Sequence, residues 1–466
     1  MTSLPATILP TDRLTRRKAA IGLWAIFITQ FFSFLYIHAR NIAQPGIIAE
    51  LDGMTLFSWL IALPALSGSV STLLFGKLSD IYGRRAILLL SSGIFALGLG
   101  LSASATTMAS LVAATTFMSF GHFPIIPLCF TAIGDLFPPA QRAKWTGLLN
   151  LPTGVAALAG PVLGGVVAES ALGWRWLYWG TIPLMLIASA LLVMGLPDRP
   201  QPARPTIDLS GTLAMIVATS TLTFGFSWLG TPEQRGMGAV LLVISVVAWI
   251  GFVLIENRAE APILDPQVFR NRTFMTAAAA AFLSLFGTLG IMAYSPIFAQ
   301  QVMGVSPTVS GSMLTPYSLL TAFLGIPAGF LLARTKKYKW MYLLGFAVVT
   351  VAMFSMWFFT ADTPIWLYIV VTAVAGFGFG AIPTINTLVA QFSVPRRLLG
   401  VAVGAMFFFQ MVGLATAPAL LGLAQRSTPD LEGGLKLVFL MGAACTLVSL
   451  LLVMTIPEVP MEVETG

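Results

Sequence analysis

Fourteen apolar segments follow one another along the chain, parted by short polar stretches that often hold Pro or Gly. Their limits fall near 19–49, 54–77, 84–104, 107–132, 143–168 and 174–196, then 207–229 and 235–255. The last six lie near 272–299, 307–332, 339–360, 364–390, 399–424 and 434–456. A helix needs about 20 residues to cross the hydrocarbon core of a bilayer, and each segment supplies them. A spanning segment must also satisfy its own backbone hydrogen bonds. The pattern therefore predicts an all-α polytopic membrane protein with 14 transmembrane helices.

Composition agrees. Of 466 residues, 57% are hydrophobic and 9% charged, where soluble domains carry about 25% charged residues. Mean hydropathy is +0.88. Cys129 and Cys445 both sit in apolar runs and read as buried thiols. No CxxC or HExxH pattern occurs, so neither a disulfide framework nor a metal site is expected. No P-loop and no nucleophile–base pattern is visible, so neither ATP hydrolysis nor enzymatic chemistry is expected, and no cofactor. The polar N-terminal stretch ends in a basic cluster. The apolar run after it is too long for a signal peptide and lacks a small-residue cleavage site, so it is expected to remain as the first span.

Charge then fixes an expected orientation. With the N-terminus inside, twenty of the 25 Lys and Arg fall on the inner side, four on the outer, and Arg40 within a span. Such asymmetry supports an even span count with both termini cytoplasmic. Basic loops facing anionic lipid also explain the net charge of +7 without nucleic acid.

The chain also repeats. GKLSDIYGRR (76–85) and GFLLARTKKYK (329–339) start 253 residues apart, and FPPAQR (137–142) and FSVPRR (392–397) nearly so. That offset equals six spans plus two. The expected organisation is a tail (1–18), a six-helix half (19–196), a Pro-rich linker (197–206) and a two-helix insert (207–256). A charged linker (257–271), a second six-helix half (272–456) and a tail (457–466) follow. Paired six-helix halves with a site between them are a common transporter plan.

Within 76–85, Gly76 and Gly83 permit close helix approach and a tight loop. Asp80 is placed to accept from a helix N-terminus or to pair with an arginine. Arg84 and Arg85 are expected to face the cytoplasm. Such an ion latch would hold the inner end shut and break as the halves rock. The Gly-x-Leu-x-Asp-x-x-Gly-Arg-Arg spacing resembles the signature loop of the major facilitator superfamily. The resemblance extends over nearly the whole chain to the fourteen-span drug:proton antiporter branch. NIAQPGIIAEL (41–51), GWRWLYWGTIP (173–183) and PILDPQVFRNRTF (262–274) carry it. So do Gly147 and GPVLGG (160–165), which resemble the branch's fifth-span motif with Ala156 in place of one glycine. Gly160 and Gly164 share a helix face and allow backbone contact, Pro161 predicts a bend, and Gly165 completes the run. The resemblance implies that this span seals the outer side against leak.

The chain departs from the branch at several places. Phe117 and Phe120 stand where the fourth span would carry arginine and glutamine, and Tyr36 where the first span often has aspartate. No Asp or Glu falls at the centre of a span; Glu50, Asp208 and Glu256 sit at edges. Buried carboxylates commonly carry protons in pumps. His38 and His122, the only two histidines, are alternative proton carriers, or else satisfied polar residues.

Tyr36, Arg40 and Gln44 recur every fourth residue and form one polar stripe. A guanidinium in hydrocarbon costs several kcal/mol unless it meets water, a partner or a ligand. Arg40 either snorkels to the outer interface or, as the resemblance implies, faces a central cavity and suits an anionic group. In the second half, Tyr294, Tyr317, Asn386 and Gln410 are expected at that cavity by the same resemblance, amid Phe and Met that suit an amphipathic ligand.

The expected function is secondary active export of amphipathic compounds by alternating access, coupled to protons as the resemblance implies, by a monomer in a bacterial inner membrane. Two alternatives stay open. One is a permease or facilitator for an organic anion held by Arg40. The other is a non-transporting scaffold or sensor, which would need no rocking latch.

Overall fold

The computed structural model describes residues 13–52, 56–137, 139–197, 209–229, 232–259, 266–305 and 307–457. Most of both expected tails, the linker beyond residue 197, Asp208 and residues 260–265 lie outside the described residues. So do the side chains of Gln44 and Pro161.

Among the described residues the secondary structure is helical, with no strand. The first seven helices are α1 (Arg13–Glu50), α2 (Phe57–Tyr82), α3 (Arg84–Ala103), α4 (Met108–Leu136), α5 (Pro139–Leu148), α6 (Asn150–Glu169) and α7 (Arg175–Gly195). A pair follows, α8 (Leu209–Leu229) and α9 (Arg235–Glu256), then the short α10 (Pro266–Arg270). The remainder are α11 (Arg272–Leu289), α12 (Ser295–Gln301), α13 (Pro307–Met313), α14 (Thr315–Phe323), α15 (Gly325–Thr335), α16 (Lys339–Met356), α17 (Ile365–Phe392), α18 (Leu399–Gln425) and α19 (Leu431–Met454). Eleven helical stretches among the described residues are long and apolar enough to cross a membrane.

Three of the apolar segments are not single helices. The fifth breaks between α5 and α6 at Leu149, and the tenth at Leu314 and Leu324. The ninth widens into a π-turn at Gly290–Tyr294 before α12. Pro296 stands in the first turn of α12, where its missing N–H costs no helical bond. The wider turn ahead of it absorbs the ring.

Packing repeats along the chain. In the first half α1 packs on α6 and α7, α3 on α4 and α7, and α2 on α4. In the second, α11 packs on α18 and α19, α16 on α17 and α19, and α14 and α15 on α17. The pair α8–α9 packs on itself and touches the halves chiefly through α8, against α2 and α18, while Trp249 of α9 meets Phe408 of α18 at 6.0 Å between ring centres. Val243, Val247, Ile250 and Leu254 on α9 stay exposed along one face. An apolar face of that extent is at home against lipid tails rather than water.

Candidate functional site

The two halves meet most closely where α2 runs beside α18. Gly76 faces Gly400 there, and a Cβ on Gly76 would stand 2.6 Å from the Gly400 carbonyl oxygen. Only two glycines let these backbones come so near. One turn on, the Asp80 carboxylate accepts the N–H groups of Gly400 (2.9 Å) and Val401 (2.8 Å) at the start of α18. The free N–H groups and dipole of a helix N-terminus favour such an anion. Charge-assisted bonds of this kind contribute about 1.5–3 kcal/mol each. Asp80 thus ties one half to the other.

Arg84 completes the latch and departs from its expected aqueous position. It is buried and pairs with Asp80. It also donates to Ser79 Oγ (2.5 Å) and to Asp135 at the end of α4 (2.8 Å). Gly83 makes this possible: its φ of 90° turns the chain sharply between α2 and α3, a conformation that disfavours a side chain. Arg85 stays half-exposed.

A second seam joins α4, α5 and α6 to the other half. Gly147 lies against Gly325 and Gly329, where a Cβ would meet backbone at 2.7–2.8 Å. Asn150 Nδ2 donates to Thr384 Oγ1 on α17 (2.9 Å), and Gln391 Nε2 to the Phe130 carbonyl (3.0 Å). Asn150, Gln391 and Asp135 were not singled out from the sequence. Their types are ordinary in helices, and only the fold brings their partners within reach.

Within the first half, Gly160 and Gly164 of α6 press against His38 and Ala39 of α1. Helical geometry turns Tyr36 and Arg40 to the opposite side. There Tyr36 meets Phe95 of α3 at 5.5 Å, His122 of α4 at 5.9 Å and Tyr178 of α7 at 5.6 Å between ring centres. Arg40 lies beside the Tyr36 and Tyr178 hydroxyls. His122 is buried, with Nε2 2.7 Å from Ser33 Oγ and 3.2 Å from the Ser33 carbonyl. The two histidines have separate neighbours: His38 is half-buried and stacks on Phe34. The helix runs on through position 161, and Gly165 is half-buried.

Second-half candidates are also held locally. Asn386 accepts from the Tyr342 hydroxyl of α16, both side chains being buried. Tyr294 Oη donates to the Pro418 carbonyl at 3.2 Å. Tyr317 is buried against Gly376 of α17, and its hydroxyl has no partner among the described residues. Gln410 is half-buried.

Residues 26–418 match the Major Facilitator Superfamily. The chain belongs to that superfamily. It is therefore a multi-pass membrane transporter of that family and not an enzyme. It is similar to "Multidrug transporter protein MdtP" of Bacillus subtilis, 28% identical over 407 residues that cover 87% of this chain and 75% of MdtP. It is also similar to "Uncharacterized MFS-type transporter Rv1877" of Mycobacterium tuberculosis, 31% identical over 382 residues, 82% of this chain but only 56% of that one. The fold matches the human organic anion transporter MFSD10 at a TM-score of 0.71, with 14% identity over 93% of this chain and 99% of that one. It matches the E. coli fucose:proton symporter FucP at 0.68, with 11% identity over 95% and 100%.

In this major facilitator chain, the end of the bundle opposite Gly83 is clamped within the first half. Glu50, closing α1, accepts from Trp174 Nε1 (2.7 Å) and Arg175 (2.5 Å) at the start of α7. Arg175 also donates to the Ala105 carbonyl between α3 and α4 (3.1 Å) and lies over the Trp174 ring. These charge-assisted bonds hold the Glu50 carboxyl below the usual carboxylate range.

Proposed function

We propose that this protein exports hydrophobic or amphipathic compounds by alternating access, as a member of the fourteen-span drug:proton antiporter branch. The proposed plan is 6 + 2 + 6 helices, with halves at 19–196 and 272–456 and the insert at 207–256. The basic side is cytoplasmic, both termini lie there, and the membrane is the bacterial inner membrane. The protein acts as a monomer.

One observation carries this reading: the Asp80 carboxylate on the N-terminus of α18. It is the charged contact described between the halves, strong enough to hold one end closed and small enough to break in each cycle. A scaffold has no use for it. With the Gly83 end taken as cytoplasmic, the closed seam corresponds to an outward-facing state. The name of MdtP, a multidrug transporter, supports drugs as the cargo. Proton coupling is part of the proposal, with His38 and His122 as the candidate carriers in the first half.

The test is transport into inverted vesicles or proteoliposomes under an imposed pH gradient, with cationic, neutral and anionic amphipaths run in parallel. Gradient-driven movement of at least one class is expected. No movement of any class above protein-free vesicles would refute the reading.

A further inference from the structure

Arg40 is a largely enclosed charge with no counter-charge among the described residues. Part of its surface stays accessible. The groups that act on it are the hydroxyls of Tyr36 and Tyr178, and its own charge reaches His122. Among the described residues no carboxylate acts on Arg40. The one acid of α1, Glu50, is engaged by Trp174 and Arg175. His122 is engaged by Ser33.

The surroundings are built rather than loose. Tyr36, Tyr178, His122 and Phe95 are each at most 3% exposed and form a ring-lined wall. The Tyr36 hydroxyl is buried in that wall beside Arg40 and Tyr178, and among the described residues none meets it in good hydrogen-bond geometry. A buried guanidinium without an anion is costly, and a buried hydroxyl without a partner adds to the cost. An oxyanion would offset both, taking a two-pronged bond from the guanidinium and one from the phenol. The ring wall would favour a flat or apolar body attached to that anion.

We propose that the Arg40, Tyr36 and Tyr178 cluster inside the first six-helix half binds the carboxylate of an aromatic or amphipathic organic acid. It is a subsite between α1, α4 and α7, apart from the seam between the halves. It deepens the export reading by naming a substrate class, and it rests on that reading only for the direction of movement.

The experiment is calorimetric titration of purified protein in detergent with 2-naphthoate, its methyl ester and chloride. Saturable binding of the acid is expected, with the ester at least tenfold weaker. Arg40→Gln is expected to weaken the acid by about 10- to 100-fold and Tyr36→Phe by about 3- to 10-fold, with the ester unaffected. Arg40→Lys keeps the charge but loses the fork, so it should fall between wild type and Arg40→Gln. Should Arg40→Gln not fold, Tyr36→Phe and Arg40→Lys give the same reading. Equal binding of acid and ester, or unchanged binding in these variants, overturns the proposal. Chloride that displaces the acid at equal concentration overturns it too, since the site then holds a simple ion. Acid binding without vesicle transport would defeat the export reading alone. Transport without Arg40-dependent acid binding would defeat this subsite alone.

Discussion

Asn386 shows what a polar residue inside a helical half is worth. Its side-chain oxygen accepts the Tyr342 hydroxyl, and both side chains are shut away from solvent. Tyr342→Phe keeps the ring and strands the acceptor. Hydrogen bonds between membrane helices average about 0.6 kcal/mol, and stranding a buried partner costs about 1–3 kcal/mol. A melting temperature in detergent lowered by a few degrees is expected, with the seam at Gly76 undisturbed. An unchanged melting temperature would mean that water or another donor takes the hydroxyl's place. At this scale the sequence was legible where residue type was rare. Asp80, Arg40 and the two histidines stood out because charge and imidazole are scarce in apolar runs. Their partners did not stand out. The N–H groups of Gly400 and Val401 belong to the backbone, which carries no side-chain signal. Tyr178 and Phe95 looked like any aromatic in a span.

Helix limits were legible because polar punctuation ends an apolar run. The breaks at Leu149, Leu314 and Leu324 were not, since leucine continues a helix as well as any residue. What ends are tied to was equally hidden. The Glu50 clamp joins the end of α1 to the start of α7 and the α3–α4 connection. Glu50 is held below its ordinary range chiefly by the Arg175 bond, then by Trp174. A depressed carboxyl adds stability above its unfolded value, about 4.3. That stability is lost as pH falls through the lower folded value. Both partners are partly exposed, at 35% and 49%, so screening keeps the contribution under about 1 kcal/mol. The wild-type melting temperature is therefore expected to drop slightly more than that of Glu50→Gln as pH falls below about 4.5. Parallel curves for the two proteins would remove the clamp from the account.

On the scale of the whole molecule, the 253-residue echo of the loop was legible, and similar helix pairings occur in α1–α7 and α11–α19. How far apart the halves stand was not, because it depends on contacts between residues hundreds of positions apart. The seam at Gly76 makes that spacing testable. A side chain at position 76 would collide with the Gly400 backbone at 2.6 Å, and backbone cannot step aside as a flexible side chain does. Gly76→Leu must therefore push α2 from α18 and take Asp80 away from its two N–H donors. Spin labels at the exposed positions Tyr82 and Arg397 would bracket this end of the seam. The distance between them is expected to lengthen and its distribution to broaden in Gly76→Leu. Gly93→Leu is the control. A Cβ there meets nothing within 4 Å, so the added bulk enters open space and the distance should stay as in wild type. If Gly76→Leu leaves the labels where they were, α2 has given way locally. The halves would then be held shut by Asn150, Gln391 and the Gly147 contact rather than by the Asp80 latch.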